Sequence, residues 1–304
     1  MSNDELAKPF STPLSRRLGL RYPIVAAPMF LVSNKEMLLA CAEAGILGTM
    51  PTINARSSEL LKADLEWLRS KTDKPFGINF TIGLSDPERI KADLALCFEF
   101  EVPVLITSYG DPTPIVKAAH ERNITVFHDV INLKHAKKAE SAGVDAIIGV
   151  SQGAGGHAGE VNPYVFLPYL RDNLKVPVIA AGCISGGEQV AAAMTLGAEL
   201  SYIGTRFIAS AESGAQDAYK EMIVSSTHED IVYTNKVSGT NANFIKSTIP
   251  DASKPGHTEN AGKRWKDIWS AGQGVTTVSE IKPIANIVED IVREYHDAVA
   301  RLSA

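Results

Sequence analysis

The chain has 304 residues, 45% hydrophobic and 21% charged, with a formal net charge of −5 at neutral pH. This is the composition of a globular protein able to bury a large core. It lacks the dense basic run that nucleic acid or an anionic membrane would require, while leaving open an anionic substrate held by local groups in a cleft. Cys41, Cys97 and Cys183 lie far apart without a CxxC pair, which excludes a disulfide framework and a zinc site, predicts no bound metal, and points to a reducing, cytoplasmic compartment.

The N-terminus carries Asp4 and Glu5 rather than a basic and then apolar order, so no signal peptide is expected. No run approaches ~18 apolar residues, so no spanning helix is expected either. From there a short apolar run followed by an amphipathic stretch recurs along the chain. The runs at 24–27, 47–50, 76–80, 104–107, 125–127, 146–150, 178–181 and 200–203 have the length and β-branched bias of buried parallel strands. The stretches at 35–44, 58–69, 87–98, 112–122, 133–142, 163–173 and 187–196 read as helices. Asp86-Pro87 and Asp111-Pro112 give a cap followed by a first-turn proline, and Gly45, Gly143 and Gly197 follow helix ends.

Eight such repeats predict a (β/α)8 TIM barrel, with an open doubly wound sheet as the rival. Pro51, Asn79, Ser108, His128, Gln152, Gly182 and Thr205 all fall at or just after strand ends. In a barrel they meet at one mouth; in an open sheet they spread along a line. Residues 212–276 break the rhythm and are expected to hold an eighth helix and an irregular lid or insertion, including the polar stretch 253–262. Residues 278–302 are expected to close the fold as an amphipathic helix with Ile281, Ile284, Ile287, Val288, Ile291 and Val292 on one stripe. The barrel is thus assigned 1–211 and 277–304.

Chemistry concentrates in the segment 149–160, GVSQGAGGHAGE. Its glycines let the backbone approach a flat or phosphorylated ligand, and His157 just past a strand suits proton transfer near neutral pH. An incidental histidine in a flexible turn is the plain alternative. Two generic motifs also match. Gly149-Val150-Ser151-Gln152-Gly153 has the form of a hydrolase nucleophile elbow, but no helix start follows the serine. Gly153, Gly155 and Ala158 fit a dinucleotide fingerprint, but the next strand ends in Ala180-Ala181-Gly182 instead of an acid. Further on, the segments 181–187 and 204–207 end the seventh and eighth runs. There, barrel loops often hold a phosphate through backbone N–H groups, and Ser185 and Thr205 add hydroxyls.

The segments 22–29, 75–79, 143–146, 154–159, 177–182, 204–207 and 269–274, in that order, resemble the nitronate monooxygenase family (formerly 2-nitropropane dioxygenases). That family is similar to the FMN-dependent enoyl-ACP reductases of the FabK type. The AGGHAG block followed by GTRF carries most of the specificity, and the resemblance spans about residues 15–275. It implies an FMN-dependent oxidoreductase that oxidises nitronates or nitroalkanes with O2 to a carbonyl compound and nitrite. By the same resemblance, His157 is the base, and Ala27, Pro28 and Met29 pack against the flavin ring. Asn79 and Gln152 bond its polar edge or ribityl chain, Gly182, Cys183, Gly204 and Thr205 hold its phosphate, and Gly156 and Ala181 complete the cofactor set. A homodimer is compatible with it. One departure stands out: some relatives place a lysine near the flavin at the end of the fifth strand, where this chain has His128-Asp129. The missing positive charge bears on the choice of electron donor. The rival functions are NAD(P)H-dependent reduction of a quinone or enoyl thioester on the same scaffold, a serine hydrolase built on Ser151, and a non-catalytic FMN-binding module.

Single residues have plainer expectations. His128 lines the pocket or is a structural histidine; His120, His135 and His296 are solvated; His228 and His257 belong to the irregular segment. Cys41 and Cys97 are helix core, Cys183 is a small residue in a turn, and Trp265 and Trp269 share a buried helix face.

Overall fold

The computed structural model describes residues 10–250 and 267–303. Each apolar run forms one parallel strand: β1 (Ile24–Ala26), β2 (Leu47–Pro51), β3 (Phe76–Thr81), β4 (Val104–Ser108), β5 (Thr125–Val130) and β6 (Ala146–Val150). After the two-residue β7 (Gly156–His157) come β8 (Val178–Ala181) and β9 (Ala198–Ile203). β1 pairs with β2 on one side and with β9 on the other, Val25 opposite Leu47 and Tyr202. The ring of β1 to β6, β8 and β9 is therefore closed, which decides for the (β/α)8 barrel against the open sheet.

The helices are α1 (Pro13–Arg17), α2 (Lys35–Ala44), α3 (Ser58–Lys71), α4 (Pro87–Glu99), α5 (Thr113–His120), α6 (Leu133–Ser141), α7 (Pro163–Asn173), α8 (Gly187–Thr195), α9 (Thr205–Ile208), α10 (Asp217–Ser225) and α11 (Ile284–Ser303). Local chemistry starts and stops them. The Asn34 side chain accepts from the Met37 N–H and Asn132 from the His135 N–H, while Asp86 accepts from Glu88 and Arg89 ahead of a first-turn proline. α2 ends at Gly45 with φ 83°, a left-handed cap that glycine adopts without strain.

Two apolar layers follow from period-2 alternation along the strands. Val25, Leu47, Val104, Ile106, Phe127 and Ile148 fill the barrel. Ile24, Met37, Leu65, Phe76, Ile78 and Phe166 lie in the layer between barrel and helices, with Cys41 and Cys97 fully buried among them. α1 closes the barrel floor, its Thr12 hydroxyl donating to the Glu199 carbonyl at 2.7 Å and its Leu14 N–H to the Glu199 carboxylate. The other end, where the strands finish, is the opposite rim.

The structure corrects several expectations. α11 packs against both α8 and α2, so the C-terminal helix is itself the eighth helix of the ring, and the helix within 212–276, α10, packs against α9 instead. Ile284, Ile287, Val288, Ile291 and Val292 are buried, but Ile281 precedes the helix and is exposed. The segment 212–276 also contains regular structure: β10 (Ile231–Thr234) and β11 (Ala242–Ile245) pair antiparallel, and β11 continues onto β7. Trp269 stacks on Tyr219 with centroids 4.8 Å apart, in irregular chain rather than on a helix. Trp265, His257 and the stretch 253–262 lie outside the described residues. Among the described residues no helix is long and apolar enough to cross a membrane.

Candidate active site

All eight barrel strands send residues to one cavity at the C-terminal rim, of about 1920 Å³. Ala27 follows β1, Pro51 ends β2, Asn79 sits on β3, Ser108 ends β4, Asp129 is on β5, Val150 ends β6, Ala181 ends β8 and Tyr202 is on β9; all line it. Ligand sites are commonly about 300–1,000 Å³, so this one has room for a cofactor together with a substrate. Pro28, Met29, Gly156, His157, Gly182, Cys183, Gly204 and Thr205 share the same lining.

Gln152 does not. It is exposed and not among the lining residues, and its backbone N–H donates to the Val161 carbonyl at 2.8 Å in the turn that follows β6. The structure does not bring it together with the other expected cofactor residues. The glutamine that does approach this corner is Gln273, whose N–H donates to the Gly153 carbonyl at 2.9 Å. Its amide oxygen lies within 3.9 Å of the Cys183 thiol.

That contact explains why two distant glycine motifs occur together. A Cβ on Gly155 would come within 2.9 Å of the Gly272 nitrogen, and a Cβ on Gly272 within 2.6 Å of the Gly153 carbonyl oxygen. Only glycines let these backbones lie so close. The Gly272 N–H donates to the Thr205 hydroxyl at 2.9 Å, tying the segment to the turn after β9 as well. Asn243 on β11, buried, donates to the Ala154 carbonyl at 2.7 Å, so segment 212–276 fastens the glycine loop from outside.

The same segment positions His157. β7 carries it, with Ala242 opposite in register. Its Nε2 is 3.2 Å from the Ser238 hydroxyl, and the edge of its ring meets Tyr109 with centroids 5.3 Å apart. Burial pushes its pKa down, so the imidazole is neutral at pH 7 and fit to accept a proton. Local sequence carried no sign of Ser238 or Asn243, while Tyr109 left a trace as an aromatic just after a strand end.

The phosphate-type turns are shaped by backbone. Gly182 has φ 113°, and a Cβ there would meet the Ser151 hydroxyl at 2.6 Å. Cys183 also adopts positive φ, 58°, and its thiol donates toward the Gln152 carbonyl at 3.4 Å with its pKa raised by burial. It is a turn residue, not an activated thiolate. Ser185, from the same loop, has a buried hydroxyl with no hydrogen-bond partner among the described residues.

Ser151 is buried and donates its hydroxyl to the Ala181 carbonyl at 2.6 Å. The chain beyond it enters the loop to β7 instead of a helix, so both the nucleophile elbow and the dinucleotide turn lack their required helix. His128 is buried, its Nδ1 2.8 Å from the Thr107 hydroxyl, and burial lowers its pKa to about 4. It is a neutral structural histidine that also lines the cavity. His120 pairs with Asp145 at 3.0 Å, and His296 packs edge-on to Phe10, so neither is simply solvated. His228 is exposed beside Thr276, whereas His135 is exposed at the cavity mouth.

A family model described as nitronate monooxygenase matches residues 11–254. A probable nitronate monooxygenase of Staphylococcus saprophyticus is 27% identical, covering 96% of this chain and 99% of its own. A bicyclic carboxyl-CoA dehydrogenase, (3aS,4S,5R,7aS)-5-hydroxy-7a-methyl-1-oxo-octahydro-1H-indene-4-carboxyl-CoA dehydrogenase, from Rhodococcus jostii is 31% identical over 75% of this chain and 64% of its own. Among solved structures, FabK from Thermotoga maritima superposes with a TM-score of 0.85 at 31% identity, over 97% of this chain and 99% of that one.

Proposed function

Given that the chain belongs to the nitronate monooxygenase family and is an oxidoreductase, we propose that it uses bound FMN and O2 to oxidise nitronates, or the nitroalkanes they derive from, to a carbonyl compound and nitrite. The observation that carries this reading is a half-buried, neutral imidazole opening onto the same cavity as two glycine turns suited to a phosphate.

The residues fit the cofactor. Backbone at Gly182, Cys183, Gly204 and Thr205 would hold its phosphate, with the unpartnered Ser185 hydroxyl as a further donor. Ala27, Pro28 and Met29 offer a small apolar wall for the ring, and the Asn79 amide, only weakly engaged with the Ile106 carbonyl at 3.3 Å, offers polar contacts. When bound, FMN supplies the electron acceptance that no side chain here can provide.

The protein supplies the proton handling. Neutral His157 takes the α-proton of a nitroalkane, and the resulting imidazolium balances the nitronate charge in a site where burial strengthens that attraction. Ser238 and the Tyr109 ring restrain the imidazole, so the base need not be ordered during the reaction. A substrate that arrives as a nitronate needs no proton removed, and there His157 contributes orientation alone. His157→Asn separates the two cases. Turnover of the neutral nitroalkane is expected to fall about 10²–10⁴-fold, the contribution of a positioned base, with a smaller loss on the preformed nitronate. Equal, undiminished turnover of both removes histidine from the role of base.

The likeness to FabK and to a carboxyl-CoA dehydrogenase favours a second reading, reduction of an enoyl thioester or quinone by NAD(P)H. Anaerobic mixing with NADH discriminates: rapid bleaching of the flavin absorbance supports this one, and bleaching only by a nitronate supports the first.

A further inference from the structure

The top layer inside the barrel holds two buried polar groups that the proposed reaction does not use. Asp129 Oδ1 on β5 and Tyr202 Oη on β9 are both inaccessible, and neither has a hydrogen-bond partner among the described residues. Both residues line the cavity. Along their strands they occupy the next position on the same face after Phe127 and Leu200, which fill the barrel. The Asp129 carboxyl is close enough for its charge to raise the pKa of Tyr202, and that of Tyr109 from the loop after β4. Leaving a buried polar group unpaired costs about 1–3 kcal/mol, and more for a charge. A pair of such groups facing one cavity from separate strands is the signature of a ligand that supplies their partners.

We propose that Asp129 holds its proton in the resting protein and, with Tyr202, offers two hydrogen-bond donors to carbonyl or ring-nitrogen acceptors of the bound flavin. This rests on the FMN reading above. A carboxylate there could only accept, and among the described residues no cation is paired with it. The elements around it agree. β6 presents Ile148 and Val150, without charge. From β5 itself, the neighbouring His128 is neutral above about pH 4. Both tyrosines stay protonated, their pKa values pushed up. From α6, His135 and Lys138 reach the same cavity, yet the Asp129 carboxyl is shifted by burial alone, to about 7. The protonated acid is thus abundant at pH 6 and scarce at pH 8.

The dissociation constant of FMN from the apoprotein, read by flavin fluorescence at pH 6 and pH 8, tests this. If only the protonated acid binds, the wild-type constant is expected to rise about tenfold across that range, following the competent fraction. The comparison is made against Asp129→Asn, which keeps the shape and cannot ionise, so that titration of the FMN phosphate and of His157 cancels in the ratio. Asp129→Asn should lose the tenfold rise, and Tyr202→Phe should bind more weakly at both pH values while keeping it. Equal pH dependence in wild type and Asp129→Asn overturns the proposal and leaves the cofactor reading standing. Absence of FMN binding by the wild type at either pH overturns both.

Discussion

Gly204→Ala separates folding from cofactor binding at a single methyl group. Gly204 has φ −102° and ψ −70°, which alanine adopts, and the nearest neighbours of an added Cβ would be the Met29 sulfur at 3.6 Å and the Ala27 Cβ at 3.8 Å. Those are ordinary contacts, so the apoprotein should be unharmed, and lower unfolded-state entropy should stabilise it by about 0.4–1 kcal/mol. The methyl nevertheless projects beside Ala27 and Met29, where the flavin is proposed to lie. Displacing the phosphate from this turn forfeits one charge-assisted hydrogen bond, worth about 1.5–3 kcal/mol. FMN affinity should therefore fall between roughly tenfold and 150-fold. Thermal denaturation of the apoprotein and a fluorescence titration with FMN measure the two halves. An unchanged affinity, with the melting temperature unchanged or raised, would show that no phosphate uses this turn. Gly182→Ala makes the contrast, because its φ of 113° and the 2.6 Å approach to the Ser151 hydroxyl predict lost stability as well as lost binding.

Ser151→Ala removes a buried hydrogen bond to the Ala181 carbonyl and should cost about 1 kcal/mol of stability in a urea melt. Oxidative turnover should survive it; abolished turnover in a folded variant would revive Ser151 as a reacting group. The pH dependence of stability should expose two opposed groups. Asp129, raised to about 7 by burial, stabilises fully below the unfolded carboxyl range and loses that contribution as pH rises through 7. His128, lowered to about 4, stabilises fully above pH 6.5 and loses its contribution as pH falls toward 4. Between pH 4 and 6.5 the Asp129 slope opposes the slopes of His128 and of His157, whose pKa burial also lowers. Asp129→Asn removes the opposing slope, so across that window its stability, read from urea melts, should climb by roughly 3 kcal/mol more than that of wild type. A variant that climbs no more than wild type would mean that Asp129 is not buried as described.

Much of this molecule was legible before any coordinates, and the reason is locality. The strands follow from short β-branched runs. The helix start at Asp86 follows from a side chain that bonds amides two and three residues away. The convergence of Pro51, Asn79, Ser108, His128, Gly182 and Thr205 on one cavity needed only the strand count and the rule that a barrel gathers its strand ends.

What the tertiary structure alone decided depends on contacts far apart in the chain. Closure rests on β1 pairing with β9, almost 180 residues downstream. The ring's eighth helix proved to be 284–303, because only packing against α8 and α2 distinguishes it from the amphipathic α10. His157 owes its place to pairing with Ala242 and its restraint to Ser238, in a segment whose polarity disguised two short strands. That Gln152 is exposed, with its backbone N–H on the Val161 carbonyl, was not visible in its place after a strand. Asp129 stood out only as the absence of a lysine until the alternation of β5 placed it at the cavity with its Oδ1 buried and without a partner among the described residues. Residue types and their spacing determine which elements form; desolvation and pairing across the fold determine which side chains are left to do chemistry.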